Sequence, residues 1–157
     1  IGMRIAASVV QGISLSTDIP IVAISSLELV AFDVFHNSNC DVVAVAQDAH
    51  MDQIYLGLYK KADNDRGFKS IGQERIEAST YQITVVNDFV AAGFGWIKYK
   101  ELVENNINSI VEVTENFYPK SSALLELGKI AFLNGEVIGP DKLQPTYLRE
   151  NVASKPK

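Results

Sequence analysis

An α/β fold is predicted by three features of this sequence. Short apolar runs of strand length alternate with longer stretches of helical spacing. One pair of strand-like runs flanks a short polar turn, as in an antiparallel hairpin. No internal repeat or low-complexity segment interrupts the alternation. The chain has 157 residues, enough for one compact domain or two small lobes. Its 47% hydrophobic and 21% charged residues are ordinary for a globular protein that can build a core.

The elements follow in order. Met3 to Leu15 has helical spacing, with Ile5, Val9 and Ile13 in one apolar row and Ala6, Val10 and Ile13 in a second. Gly2, Ala6, Ala7, Ser8 and Gly12 are small, so the helix is expected to pack on both sides, or to pack on one side and dock on the other. Ile21 to Ile24 is an apolar run expected to form a buried strand. Ser25 or Ser26 can cap a second helix that runs to about His36, with Glu28 near its positive end. Its core row is Leu27, Val30, Ala31 and Val34, widened by Leu29 and Phe32. After the polar loop Asn37-Ser38-Asn39, Val42 to Ala46 reads as a strand and Asp48 to Asp52 as a turn. Gln53 to Tyr59 then reads as a strand with Ile54, Leu56 and Leu58 on one face and Tyr55, Gly57 and Tyr59 on the other.

Asp63 to Gly67 is a polar loop, followed by a weakly patterned stretch to Ala78. Ile83 to Val86 and Phe89 to Ala92 are both of strand length, and Gly93 and Gly95 break the chain before Trp96. A helix is expected over Tyr99 to Asn106 and a strand over Ile110 to Val113. Pro119 suits a helix first turn, Ala123, Leu124, Leu127, Ile130 and Ala131 have helical spacing, and Gly135 ends it. The Pro-punctuated tail, including Gln144-Pro145-Thr146-Tyr147-Leu148-Arg149-Glu150-Asn151-Val152, is expected to be extended. The chain opens on Ile1 and the helical pattern starts at once, which predicts structure upstream of it.

Composition excludes several functions. A net charge of −5 without a run of Lys or Arg argues against direct capture of a nucleic-acid backbone. The single cysteine, Cys40, excludes an internal disulfide and has no basic neighbour in sequence to activate it. His36 and His50 lack zinc-ligand spacing. No run approaches the ~20 apolar residues of a membrane span, no signal peptide is recognisable, and a cytoplasmic location is expected. Asp48, Asp52 and Asp88 are the carboxylates to weigh as acid/base or metal groups. Turn chemistry is the preferred account of the first two. Gly93-Phe94-Gly95 lacks the third glycine of a dinucleotide fingerprint, Lys98 standing there, and backbone geometry beside Trp96 is the preferred account. Tyr55, Tyr59 and Trp96 could stack on bases, but aromatics on a strand face more often belong to a core. Arg4 is expected in a local ion pair near the helix start, with positioning of a partner carboxylate or phosphate as the alternative, and Arg149 as a tail anchor, with binding across to a partner or to the first lobe as the alternative.

Several ordered islands resemble the TsaB (YeaZ) family. Ile1-Gly2-Met3-Arg4-Ile5-Ala6 resembles its T-G-L-R-I-G opening, and Val10-Gln11-Gly12-Ile13-Ser14 its A-Q-G-L-A stretch. Ile24-Ser25-Ser26-Leu27-Glu28 resembles V-S-S-L-E, and Asp48-Ala49-His50-Met51-Asp52-Gln53-Ile54-Tyr55 resembles D-A-R-M-D-E-V-Y. Gly93-Phe94-Gly95-Trp96 and Pro145-Thr146-Tyr147-Leu148-Arg149 complete the set. His50 stands where the family often has Arg. The family's N-terminal strands and Gly-rich turn have no counterpart here. The resemblance implies a partial actin-like, sugar-kinase-like ATPase fold, with residues 1–38 a remnant of the first lobe and 39–157 the second lobe.

The same resemblance implies a non-catalytic scaffold subunit that binds and activates the TsaD transferase in threonylcarbamoyladenosine formation at position 37 of tRNA, with a TsaE-like ATPase as a further partner. TsaD's H-x-x-x-H metal motif is missing, and no catalytic, cofactor-binding or metal residue is assigned to this chain. ATP is used by the complex, and tRNA is met only indirectly. Gly2, Arg4, Ala6, Val9 and Gly12 on the first helix are the candidate partner interface. Self-association into a homodimer or larger is expected, because an apolar helix face and a sheet edge would be left exposed. The rival is a small-molecule kinase or hydrolase of the same superfold whose catalytic half is missing.

Overall fold

The structure is a computed structural model that describes residues 2–149. Ile1 and the Glu150-Asn151-Val152 end of the predicted extended tail lie outside the described residues. The first helix, α1, spans Gly2–Thr17. The second, α2 (Ser26–Asn37), is capped by the Ser25 hydroxyl, which accepts from the Leu27 N–H at 3.1 Å. The hairpin strands are β1 (Val42–His50) and β2 (Gln53–Lys61). They are followed by β3 (Phe68–Ser70), β4 (Arg75–Ala78), β5 (Phe89–Ala92), α3 (Gly95–Lys98), α4 (Lys100–Asn106), β6 (Ile110–Val113) and α5 (Ser121–Leu133). A 3-10 turn at Pro140–Lys142 interrupts the expected extended tail.

The six strands form one mixed sheet in the order β3-β2-β1-β5-β6, with β4 also paired to β2. β1 and β2 are antiparallel, while β5 runs parallel to both β1 and β6. The predicted alternation of β2 sorts its side chains between two cores. Tyr59 joins Val43, Val45, Val90 and Ala92 beneath the buried row of α2 and Ala123 and Leu127 of α5. Ile54, Leu56 and Leu58 join Ala44, Ala46, Phe89, Trp96, Tyr99 and Leu102 beneath α3 and α4. A sheet covered on both faces explains why β5 reads as an unbroken apolar run, all four of whose residues are buried.

Several expectations are corrected. Residues 21–24 form no strand; Ile21 makes a single antiparallel bridge to Ile138, and the segment passes outside the main sheet. Of the two short apolar runs after Tyr81, only Phe89–Ala92 is a strand, because Ile83 instead plugs the α4 core from a loop held by Asn106. Pro119 precedes the N-cap Lys120 rather than lying in the first turn of α5. β1 continues through Asp48 to His50, so the turn is tighter than expected. The weakly patterned stretch to Ala78 contains β3 and β4, which are short edge strands with little alternation to reveal them. Gly135, with φ 74°, ends α5 as expected.

Candidate functional site

The apolar rows of α1 face away from the body of the protein. Met3, Ile5, Val9 and Ile13 are 58%, 60%, 57% and 56% exposed, and Ser14 is the one buried residue of the helix. Of the candidate interface residues, all exposed, Gly2, Ala6, Val9 and Gly12 lie on this outer face, whereas Arg4 turns to the opposite side and bonds Tyr147. A Cβ added at Gly2 or Gly12 would meet nothing within 4 Å, so no neighbour in the described chain requires those positions to be small. The inward stripe is Arg4, Ala7, Gln11 and Ser14, spaced as one helix face.

Among the described residues Arg4 makes no local ion pair, in contrast to the expectation. Its Nε donates to the Tyr147 hydroxyl at 2.6 Å, with the guanidinium 5.4 Å from the ring centroid. That hydrogen bond holds the Arg4 pKa above its ordinary value. Gln11 donates from Nε2 to the carbonyls of Pro140 and Leu143, at 2.8 and 3.1 Å. Ile138 to Arg149 thus form a strap across the inner face of α1, beginning at the Ile21–Ile138 bridge.

The far end of the strap reaches the β1–β2 hairpin. Arg149 donates from Nη2 to the Ala49 carbonyl at 2.8 Å and to Gln53 Oε1 at 2.7 Å, so it is the tail anchor the sequence suggested. The turn it grips is conformationally costly, because His50, Met51 and Asp52 have φ of 60°, 54° and 54°. Two consecutive left-handed central residues match the twist of a two-residue hairpin, but Asn-Gly is the easier sequence there. The guanidinium on Ala49 and Gln53 and the Asp52 carbonyl accepting from the Ser79 N–H hold the turn in place.

Asp48 sits beside this turn. Its carboxylate accepts from Lys98 Nζ at 2.6 Å, the Tyr99 hydroxyl at 2.7 Å and the His50 N–H at 2.9 Å. Desolvation pushes its pKa up, but these three donors outweigh it and bring the value down to about 2. Asp48 is therefore a fixed anion that ties β1 to α3. Asp88 lies before β5, at the opposite end of the sheet. The parallel β1–β5 register pairs Val43 with Val90, which sets Asp88 seven residues along from Asp48, about 23 Å at ~3.3 Å per residue. No acid/base pair forms from these two. His36 lies against Phe32 and 3.8 Å from Glu126, and His50 is on the hairpin. Among the described residues no group of three His, Cys, Asp or Glu is placed to hold a metal, and no helix is long and apolar enough to cross a membrane.

The Gly-Phe-Gly-Trp turn is structural. The Gly93 N–H donates to the Asn116 carbonyl and the Phe94 N–H to Gln47 Oε1, so these two amides are engaged within the chain rather than open to a phosphate. Gly93, at φ 99°, and Gly95 both abut the Ala46 carbonyl, and Trp96 Nε1 donates to the Ala44 carbonyl at 3.0 Å. A cleft of about 620 Å³ opens between α2, the β3 edge and the strap. Within it Arg66 binds Glu28 and Glu136, Tyr59 donates to Glu74, and Lys69 also lines the wall. Burial, and then the Glu74 charge, raise the Tyr59 pKa. Sequence reasoning did not find Arg66 or the inward role of Gln11. Gln11 was visible only as a motif position, and Arg66 carried no local signal.

A mixed sheet with helices on both faces and a separate, strapped helix suits the actin-like ATPase class, and the family and structural matches place the chain there. The family model described as "TsaD: tRNA N6-adenosine threonylcarbamoyltransferase" matches residues 1–157, and the chain belongs to that family. Within it, the chain is similar to proteins named TsaB. It is 28% identical to the tRNA threonylcarbamoyladenosine biosynthesis protein TsaB of Haemophilus influenzae, over 98% of this chain and 67% of that protein. It is 24% identical to TsaB of Escherichia coli, over 98% of this chain and 68% of that protein. A Pseudomonas aeruginosa crystal structure described as similar to peptidase YeaZ matches with a TM-score of 0.81 and 29% identity, covering 94% of this chain and 68% of that one. A structure of YeaZ from the same organism matches with a TM-score of 0.77 and 28% identity, over 92% of this chain and 67% of that one. The chain spans about two thirds of the length of these relatives.

Proposed function

We propose that this chain acts in tRNA threonylcarbamoyladenosine formation as a non-catalytic subunit that docks a TsaD-type transferase through the outer face of α1. The observation that carries this is the exposure of Met3, Ile5, Val9 and Ile13 on one helix, alongside glycines with open space above them. Apolar side chains left in water on a helix of this length favour a covering partner. The names of the relatives supply the pathway, and the ~23 Å separation of Asp48 from Asp88 leaves those carboxylates unable to act as a pair. A second copy of the chain would compete for the same face, and a TsaE-type ATPase would join the assembled pair.

The test is light scattering after size-exclusion of the chain mixed with the TsaD-type transferase of the same organism. A joint peak of defined mass is expected. Val9→Glu should weaken it tenfold or more, because the interface would bury a charge worth at least ~1.4 kcal/mol. Val9 is 57% exposed, so the fold should be unaffected. Equal binding by wild type and V9E would remove α1 as the interface. Separate peaks for the wild type would remove the scaffold role.

A further inference from the structure

We infer that the strap, latched to the β1–β2 hairpin by Arg149, is what keeps α1 folded and oriented. A 16-residue helix is marginal alone in water, the more so with β-branched Ile5, Val9, Val10 and Ile13 along it. Its stability must come from tertiary contacts. Among the described residues, the side-chain hydrogen bonds that leave α1 for distant residues come from Arg4 and Gln11, and each ends on the strap. The buried Ser14 donates only to the adjoining turn, at the Ile19 carbonyl. The next fixed point along the chain, Ile21, is itself bridged to Ile138 at the strap's start.

The strap's distal anchor is the hairpin, where Arg149 donates to Ala49 and Gln53. Between Gln11's partner Leu143 and Arg149, the contact with Tyr147 is the rung to α1. Release of Arg149 frees that rung, and with it the first turns of the helix that carry Met3, Ile5 and Val9. The hairpin and the helix are therefore coupled through the strap, although the secondary structure between them is not continuous. This coupling rests on the geometry of the chain. Its consequence for partner docking rests on the proposed function.

Hydrogen exchange on the whole chain tests the two separately. In Arg149→Ala, amides of residues 6–10 should exchange at least tenfold faster than in the wild type, while those of β5 and α4 keep their rates. Gln11→Ala, which leaves the hairpin latch intact, should accelerate residues 8–15 with the hairpin unchanged. If Arg149→Ala also loosens the sheet, Tyr147→Phe replaces it. That change removes only the hydroxyl and should speed the first turns of α1 severalfold. Unchanged α1 exchange in the strap variants Arg149→Ala and Tyr147→Phe would overturn the inference, whatever Q11A does. So would wild-type α1 amides exchanging at unfolded-chain rates. Failure of the wild type to bind the transferase, with the exchange pattern as expected, would count against the docking role alone.

Discussion

Replacing Gly93 by alanine isolates the reason for the Gly-Phe-Gly-Trp sequence. Gly93 has φ 99°, and an added Cβ would lie 2.3 Å from the Ala46 carbonyl oxygen and 3.0 Å from its carbon. Two costs combine. A non-glycine residue at this φ is strained by about 1–3 kcal/mol. Relieving the contact requires β1 or the turn to move by about 1 Å, and overpacking of this kind costs about 1–3 kcal/mol. Ala46 is fully buried on a central strand, so little relaxation is available. A loss of about 3–5 kcal/mol is expected, a large share of the ~5–15 kcal/mol that stabilises a typical domain.

Urea unfolding followed by the fluorescence of Trp96, the single tryptophan and 2% exposed, measures it directly. Two controls separate the causes. Gly67→Ala has φ 77° and open space, so it carries strain alone, about 1 kcal/mol. Gly95→Ala has ordinary φ and a Cβ 2.9 Å from the Ala46 oxygen, so it carries the contact alone. A loss in Gly93→Ala no larger than in Gly67→Ala would refute the close-packing account and return the turn to consideration as a ligand loop.

Other outcomes follow from the polar groups that are held by several hydrogen bonds. The Asp48 pKa, about 2, lies below its ordinary 3.8, so its ion pair contributes stability that is present above about pH 4 and lost as pH falls toward 2. Asp48→Asn should cost about 1–2 kcal/mol at pH 7, discounted because Lys98 is partly in water, and its gap from wild type should close between pH 4 and pH 2. A constant gap across that window would show that the carboxylate charge is not what matters. Asn106, 3% exposed, accepts from the Ile83 N–H and donates to the Tyr81 and Leu102 carbonyls, each at 2.8 Å. Asn106→Asp sets a carboxylate against two carbonyls and should cost about 2–4 kcal/mol at neutral pH by thermal melting. A smaller loss at pH 4, where the acid can be neutral, is part of the same expectation.

Periodicity alone determined much of this protein. The 3.6-residue spacing of Leu27, Val30, Ala31 and Val34 fixed the buried face of α2, and left its cap to Ser25 or Ser26, of which the structure uses Ser25. The two-residue alternation of Ile54 to Tyr59 fixed which side chains enter which core, and Gly135 fixed the end of α5. These are local properties, set by backbone sterics and by which face meets water. The weak strands β3 and β4 were invisible because short edge strands have too few residues for a period to show. The apolar run at residues 21–24 misled for the opposite reason: its pattern suits a strand, but it has only Ile138 to pair with. The motif islands located the important residues without disclosing their tasks. Arg4 and Tyr147 are 143 positions apart, and Arg149 and Gln53 are 96 apart. Whether α1's apolar rows would meet a core or water depended on where the chain returned. Only the tertiary structure decided that, because a helix's spacing specifies which side chains share a face and not what stands opposite them.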